Sequence, residues 1–189
     1  RILTVIQQLD GRQLNYERPY QSRFFGNCRD HSVLMCAILR SKGIPARARC
    51  GFARYFIPDW FEDHWICEYW NSAKQRWVVV DPQLDSLQRD LLQIDFNPLD
   101  IPRGHFITGS EAWQLCRSGR ENAEKFGIGE LHGLWFVRHD LMLDMAALNK
   151  MELLPWDFWG ITTKEDSALT PAGWNLLDRV AELVLEQDP

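Results

Sequence analysis

The 189-residue chain has no CxxC pair and no tight Cys/His cluster, and its five cysteines, at 28, 36, 50, 67 and 116, are odd in number. That spacing speaks against a zinc module and against a complete disulfide framework, so reduced thiols in a cytoplasmic protein are the expectation. Basic blocks are missing as well. With a net charge of -5 and dispersed Lys and Arg, nothing in the chain tracks a phosphate backbone, and nucleic acid is not an expected partner. No apolar run reaches the roughly 18 residues of a membrane span, and the start carries no secretory pattern, so no membrane partner is expected. The sequence starts at Arg1 rather than Met, which leaves room for residues upstream. Internal repeats and low-complexity tracts are also lacking.

What the chain does have is apolar and aromatic mass: 46% hydrophobic residues and nine Trp, enough for a well-packed interior. From Asp30 to Lys42, Val33, Leu34, Ala37, Ile38 and Leu39 recur at helical spacing, and Gly43 stands where a helix end favours a left-handed residue. Pro45 forbids continuation, and residues 46–57 read as extended. After a turn over 58–63, the stretches 64–70 and 76–82 flank a polar connection, as in a hairpin. Beyond residue 95, a Pro-rich connector over 97–104 precedes segments that read as helices near 110–118, 130–150 and 170–187, with Thr170 and Pro171 opening the last. The expected class is α+β, with a core over 1–100 and a helical C-terminal extension over 101–189 packed on it.

Three residues then form a chemically complete set: Cys28 at a helix N-terminus, His64 at the start of one strand and Asp81 at the end of the next. A thiol in the first helical turn sits among unpaired N–H groups at the positive end of the dipole, where a thiolate is stabilised. An imidazole can take its proton and later protonate a leaving group, while a carboxylate fixes the ring's tautomer. A hairpin centred near residue 73 would set His64 opposite Asp81.

Gly-x-Cys-Arg-Asp opening an apolar helix, the run LRSKGIPARARCGF, a His before an aromatic-rich strand and WVVVDP together resemble the transglutaminase-like superfamily of papain-related cysteine enzymes. The resemblance covers residues 23–85. It implies a papain-like fold in which a catalytic helix packs on an antiparallel sheet, with Cys28 as nucleophile, His64 as base and Asp81 as orienting acid. Trp65 directly after His64 departs from the usual bacterial spacing, which bears on the substrate groove.

Other residues have blander readings. His31 lies one turn along the same helix and projects beside Cys28 rather than across a cleft. Asp30 suits the helix end. Cys36, Cys50, Cys67 and Cys116 read as small buried hydrophobes. Gln21 is a candidate second oxyanion donor beside the Cys28 N–H, or else a surface residue. Trp60 and Trp65 either wall a substrate groove or pack. The expected activity is acyl transfer on an amide or peptide bond, most simply hydrolysis, without metal or cofactor, and with a peptide, protein or small amide as substrate. Transfer to an amine uses the same route. The competing readings are a peptide-binding or scaffolding module with the triad unused, and a metal-dependent hydrolase, for which only Cys28 and His31 have ligand spacing.

Overall fold

In a computed structural model, which describes residues 1–186, the chain is α+β with a mixed six-stranded sheet. Helix α1 (Ile2–Leu9) leads to α2 (Cys28–Ser41), followed by β1 (Ala46–Ala53), β2 (Phe61–Asn71), β3 (Arg76–Val80) and α3 (Ser86–Leu92). Then come β4 (Phe106–Thr108), α4 (Gly109–Arg117), β5 (Phe126–Ile128), β6 (Leu131–His132), α5 (Leu134–Leu148) and α6 (Pro171–Glu186). The strands run in the order β4-β1-β2-β5-β6, and β3 also pairs with β2. No helix among the described residues is long and apolar enough to cross a membrane.

The local chemistry accounts for α2. Asn27 accepts from the Asp30 N–H while the Asp30 carboxylate accepts from the Asn27 N–H, a capping box that fixes where the helix starts. At the other end Gly43 takes φ 74°, and Arg40 Nε donates to the Ala46 carbonyl, tying the helix exit to β1. β2 is the central strand. One edge pairs with β1 over its length. The other pairs with β5 at Phe61 and Glu62 and with β3 from Cys67 to Asn71, and neither of those partners pairs with residues 63–66.

Two apolar clusters hold the layers. Phe52, Phe61, Trp113, Phe126, Phe136 and Leu177 join the sheet to α4, α5 and α6, with Phe61 and Phe126 stacked at 4.1 Å. Cys36, Ala48, Cys50, Trp65, Cys67 and Leu143 fill the space beneath α2. Each fully buried large side chain contributes on the order of 1.5–3 kcal/mol.

Residues 101–189 do more than the expected helical extension. They supply β4, β5 and β6 to the same sheet as β1, β2 and β3, so the sheet runs across residue 100. Close approach makes this fit: a Cβ on Gly51 would lie 2.2 Å from the Ile107 carbonyl oxygen of β4. α5 starts at Leu134 rather than near 130, because Gly133 at φ 110° ends the β5–β6 hairpin there. The turn expected over 58–63 gives way to β2 at Phe61. α1 and α3 had no counterpart in the sequence reading.

Candidate active site

The register of α2 against β2 positions the thiol. Ser32 Oγ donates to the Trp65 carbonyl at 3.0 Å, and one turn later Cys36 Sγ lies 3.2 Å from Cys67 Sγ. Four helical residues advance about 6 Å and two strand residues about 6.7 Å, so helix and strand stay in step. Followed one turn back, the same ladder brings Cys28 to the level of Asp63 and His64. The Cys28 side chain interacts there with His64.

His64 is 2% exposed, and its Nε2 meets Asp81 Oδ2 at 2.8 Å, which leaves Nδ1 as the ring nitrogen available to Cys28. Both oxygens of Asp81 are engaged: Oδ2 also accepts from the Tyr55 hydroxyl at 2.7 Å, and Oδ1 accepts from the Gln83 N–H at 2.9 Å. The Asp81 N–H donates to the Pro98 carbonyl at 2.9 Å, so the connector after residue 95 fixes the backbone of this residue. The strand register differs from the one expected. β3 pairs Cys67 with Val80 and Trp70 with Trp77, so His64 lies opposite a point past the end of β3, and Asp81 reaches it from the gap at residues 63–66.

Electrostatics follow from this geometry. Burial is the largest influence on His64 and opposes its charge, but the Asp81 carboxylate, its hydrogen bond and Cys28 together raise the pKa to about 10. Burial likewise opposes the charge on Asp81, yet His64, Tyr55 and the Gln83 N–H hold its carboxyl below the usual range. Burial, then the neighbouring Asp81, raises the Tyr55 phenol well above its ordinary value. The Phe56 ring stands edge-on to His64 at 4.9 Å, so the loop between β1 and β2 covers the imidazole with aromatic surface.

The remaining expected site residues are placed as follows. Gln21 is exposed on a 3-10 turn, Tyr20–Ser22. Trp60 Nε1 donates to Glu62 at 2.7 Å, and the ring lies 5.7 Å from His132, facing β6. Trp65 is 2% exposed and packs beneath α2 with Cys36 and Cys67, the packing one of its two expected readings. His31 sits one turn along α2 from Cys28. Asp30 serves the helix cap.

Several residues near the site had no motif to mark them. Tyr55 lies in an irregular loop. Asp140 and Asp144 come from α5, where Arg138, His139, Asp140 and Asp144 are buried among apolar neighbours. Charges in a helix that is apolar on all sides must find partners inside the fold, and that was the legible signal. Asp144 accepts from Arg49 Nε at 2.9 Å and from the Cys50 N–H at 3.1 Å, while Arg49 also bonds Glu68. Cys50, Asp63 and Asp140 each bring a potential ligand atom within 4.8 Å of the others, so this trio could hold a cation. Asp63 Oδ1 and Asp140 Oδ2 are buried without a hydrogen-bond partner. Burial, and then the charge of Asp63, pushes Asp140 well above the ordinary carboxyl range.

The site thus combines a buried His–Asp pair with a cysteine at a helix N-terminus on an α+β scaffold. In comparison with protein families, the model of the transglutaminase-like superfamily matches residues 8–82, a span that includes α2, β1, β2, β3, Cys28, His64 and Asp81. The match supports a transglutaminase-like domain in this segment. No curated protein and no solved structure gives a significant match.

Proposed function

We propose that the protein is a cysteine-dependent acyl-transfer enzyme that hydrolyses an amide or peptide bond. The observation that carries this reading is the buried 2.8 Å contact of His64 Nε2 with Asp81, which leaves the other ring nitrogen available to Cys28. In the proposed reaction Cys28 attacks the carbonyl carbon, and its proton resides on His64. The developing oxyanion meets free N–H groups in the first turn of α2, with Gln21 as a further candidate donor. His64 then protonates the leaving amine, and water, deprotonated by His64, releases the acid from the thioester. Asp81 and Tyr55 hold the imidazolium without touching substrate. Transfer to an amine would differ only in the acceptor that meets the thioester.

The test is alkylation of Cys28 by iodoacetamide across pH, together with turnover of an amide library. Cys28 should outpace a free cysteine at pH 6, and His64→Ala should abolish the advantage. Turnover should persist to near pH 10, where His64 loses its proton. Asp81→Asn removes the charge that raises that pKa and should bring the alkaline limit down by roughly 1–3 units. Labelling indifferent to His64 and no turnover would favour a binding module with the triad unused, and amide formation with added amines would favour cross-linking.

A further inference from the structure

The ladder that delivers Cys28 to His64 has a second pair of thiols at its centre. Cys36 Sγ and Cys67 Sγ lie 3.2 Å apart, and both residues are free and buried. One belongs to the helix that carries Cys28 and the other to the strand that carries His64. The contact is not an accident of loose side chains, since the Ser32 bond to the Trp65 carbonyl pins the same two elements one turn away.

The two thiols differ in their surroundings. Cys36 lines a cavity of about 70 Å3 between α2 and residues 150–153, several times the space one water requires. Arg29, Arg40 and Lys150 also line it, with Glu152 as the one acidic side chain, so a small neutral oxidant entering there meets a sulfur in a lining with more positive than negative charge. Cys67 lies behind, on the central strand, and lines no part of that cavity. The hydrogen bond with Cys67, and more weakly the charge of Arg40, draws the Cys36 thiol below its ordinary range, and Cys67 is raised by the same bond.

We propose that Cys36 and Cys67 form a redox couple that closes to an intramolecular disulfide on exposure to a peroxide, stapling α2 to β2. The Cys36 thiolate attacks one oxygen of hydrogen peroxide, the O–O bond breaks, and hydroxide leaves and takes up a proton, giving a sulfenic acid at Cys36. The Cys67 sulfur then attacks the Cys36 sulfur, the S–O bond breaks, and the departing hydroxide takes the Cys67 proton. Two thiols are oxidised by two electrons and the peroxide is reduced to two waters. Cys36 is the attacking thiol and Cys67 the resolving one. The staple sits two helical turns from Cys28 and fixes the helix–strand register on which its approach to His64 depends.

The test uses the full chain carrying Cys28→Ser, so that the candidate nucleophile does not consume the oxidant, with the wild-type chain in parallel. Each is treated with hydrogen peroxide, quenched, unfolded in alkylating agent and digested without reductant. The expected product is one cross-linked peptide pair joining Cys36 to Cys67, lighter by two hydrogens and resolved by dithiothreitol, with a melting temperature several degrees above that of the reduced protein. In Cys67→Ala the Cys36 sulfenic acid should accumulate and be trapped by a dimedone probe. That variant is secondary, because the mass measurement on the unsubstituted pair stands without it. The proposal is overturned if both thiols alkylate freely at a peroxide dose that fully oxidises Cys28 in the wild type. Linkage of either cysteine to a different partner, or passage of Cys36 to a sulfinic acid with Cys67 untouched, would also overturn it.

Discussion

The carboxyl of Asp140 is 1% exposed, is pushed far above its ordinary range by burial and by Asp63, and has one oxygen with no hydrogen-bond partner. An acid whose folded pKa is raised holds its proton in the folded state at pH values where the unfolded chain has lost it. Folding is therefore penalised increasingly as pH rises from about 4 toward the raised value, at up to about 1.4 kcal/mol per pH unit for one group. Asp140→Asn keeps the shape and removes the titration. The variant should match the wild type near pH 4 and exceed it in stability by a margin that grows as pH rises above that, as read by urea unfolding at a series of pH values. A wild type that loses stability in parallel with the variant would show that Asp140 is not held protonated. At this scale Cys28, His64 and Asp81 were legible, because each lies in a short motif whose flanking residues set its backbone. Asp140 and Tyr55 were not, since they reach the site from elements whose approach depends on packing, and the two readings of Trp65 stayed open because its face of β2 depends on which side the helix covers.

Helix α2 could be read almost to the residue: its cap, apolar spacing and terminal glycine all act within a few positions of one another. The hairpin of β2 and β3 was legible as a pair, but its register was not, since a short, mostly polar turn does not choose between neighbouring alignments. The short strands β4, β5 and β6 left no periodic signal, being two or three residues long, and they exist because longer neighbours offer them edges. Packing of α4 against α5 is an element contact sensitive to a single atom. A Cβ on Gly109 would stand 2.5 Å from the Asp140 carbonyl oxygen, against backbone that cannot swing aside as a side chain could. Gly109→Ala should therefore force the first turn of α4 away from α5 and destabilise the fold by about 1–3 kcal/mol, measured by chemical denaturation. An unchanged unfolding midpoint would mean that the two helices cross less closely than described.

The expected division at residue 100 meets a sheet that ignores it. Arg49 of β1 is wholly buried, and two of its nitrogens donate to Asp144 of α5, 95 positions along the chain, at 2.9 Å each. A buried charge that loses its partner costs about 3–5 kcal/mol, a figure reduced here to the extent that Glu68 continues to compensate the guanidinium. Removing everything after residue 100 would take away that carboxylate, the β4 and β5 neighbours of β1 and β2, and the apolar face in which Phe52 and Phe61 are buried against Phe126, Phe136 and Trp113. Those losses together exceed the few kcal/mol by which an ordinary domain is stable. The fragment 1–100 should therefore fail to fold alone: its amide proton NMR spectrum should be poorly dispersed and its near-ultraviolet circular dichroism flat, while the full chain shows both signals. Adding the separately produced 101–189 segment should restore them in part, because its β4 and β5 pair with edges of β1 and β2 from the first half. A fragment 1–100 that gives a dispersed spectrum and labels at Cys28 as the full chain does would make residues 101–189 a true appendage, and would leave the ion pair of Arg49 and Asp144 as decoration on a fold complete without it.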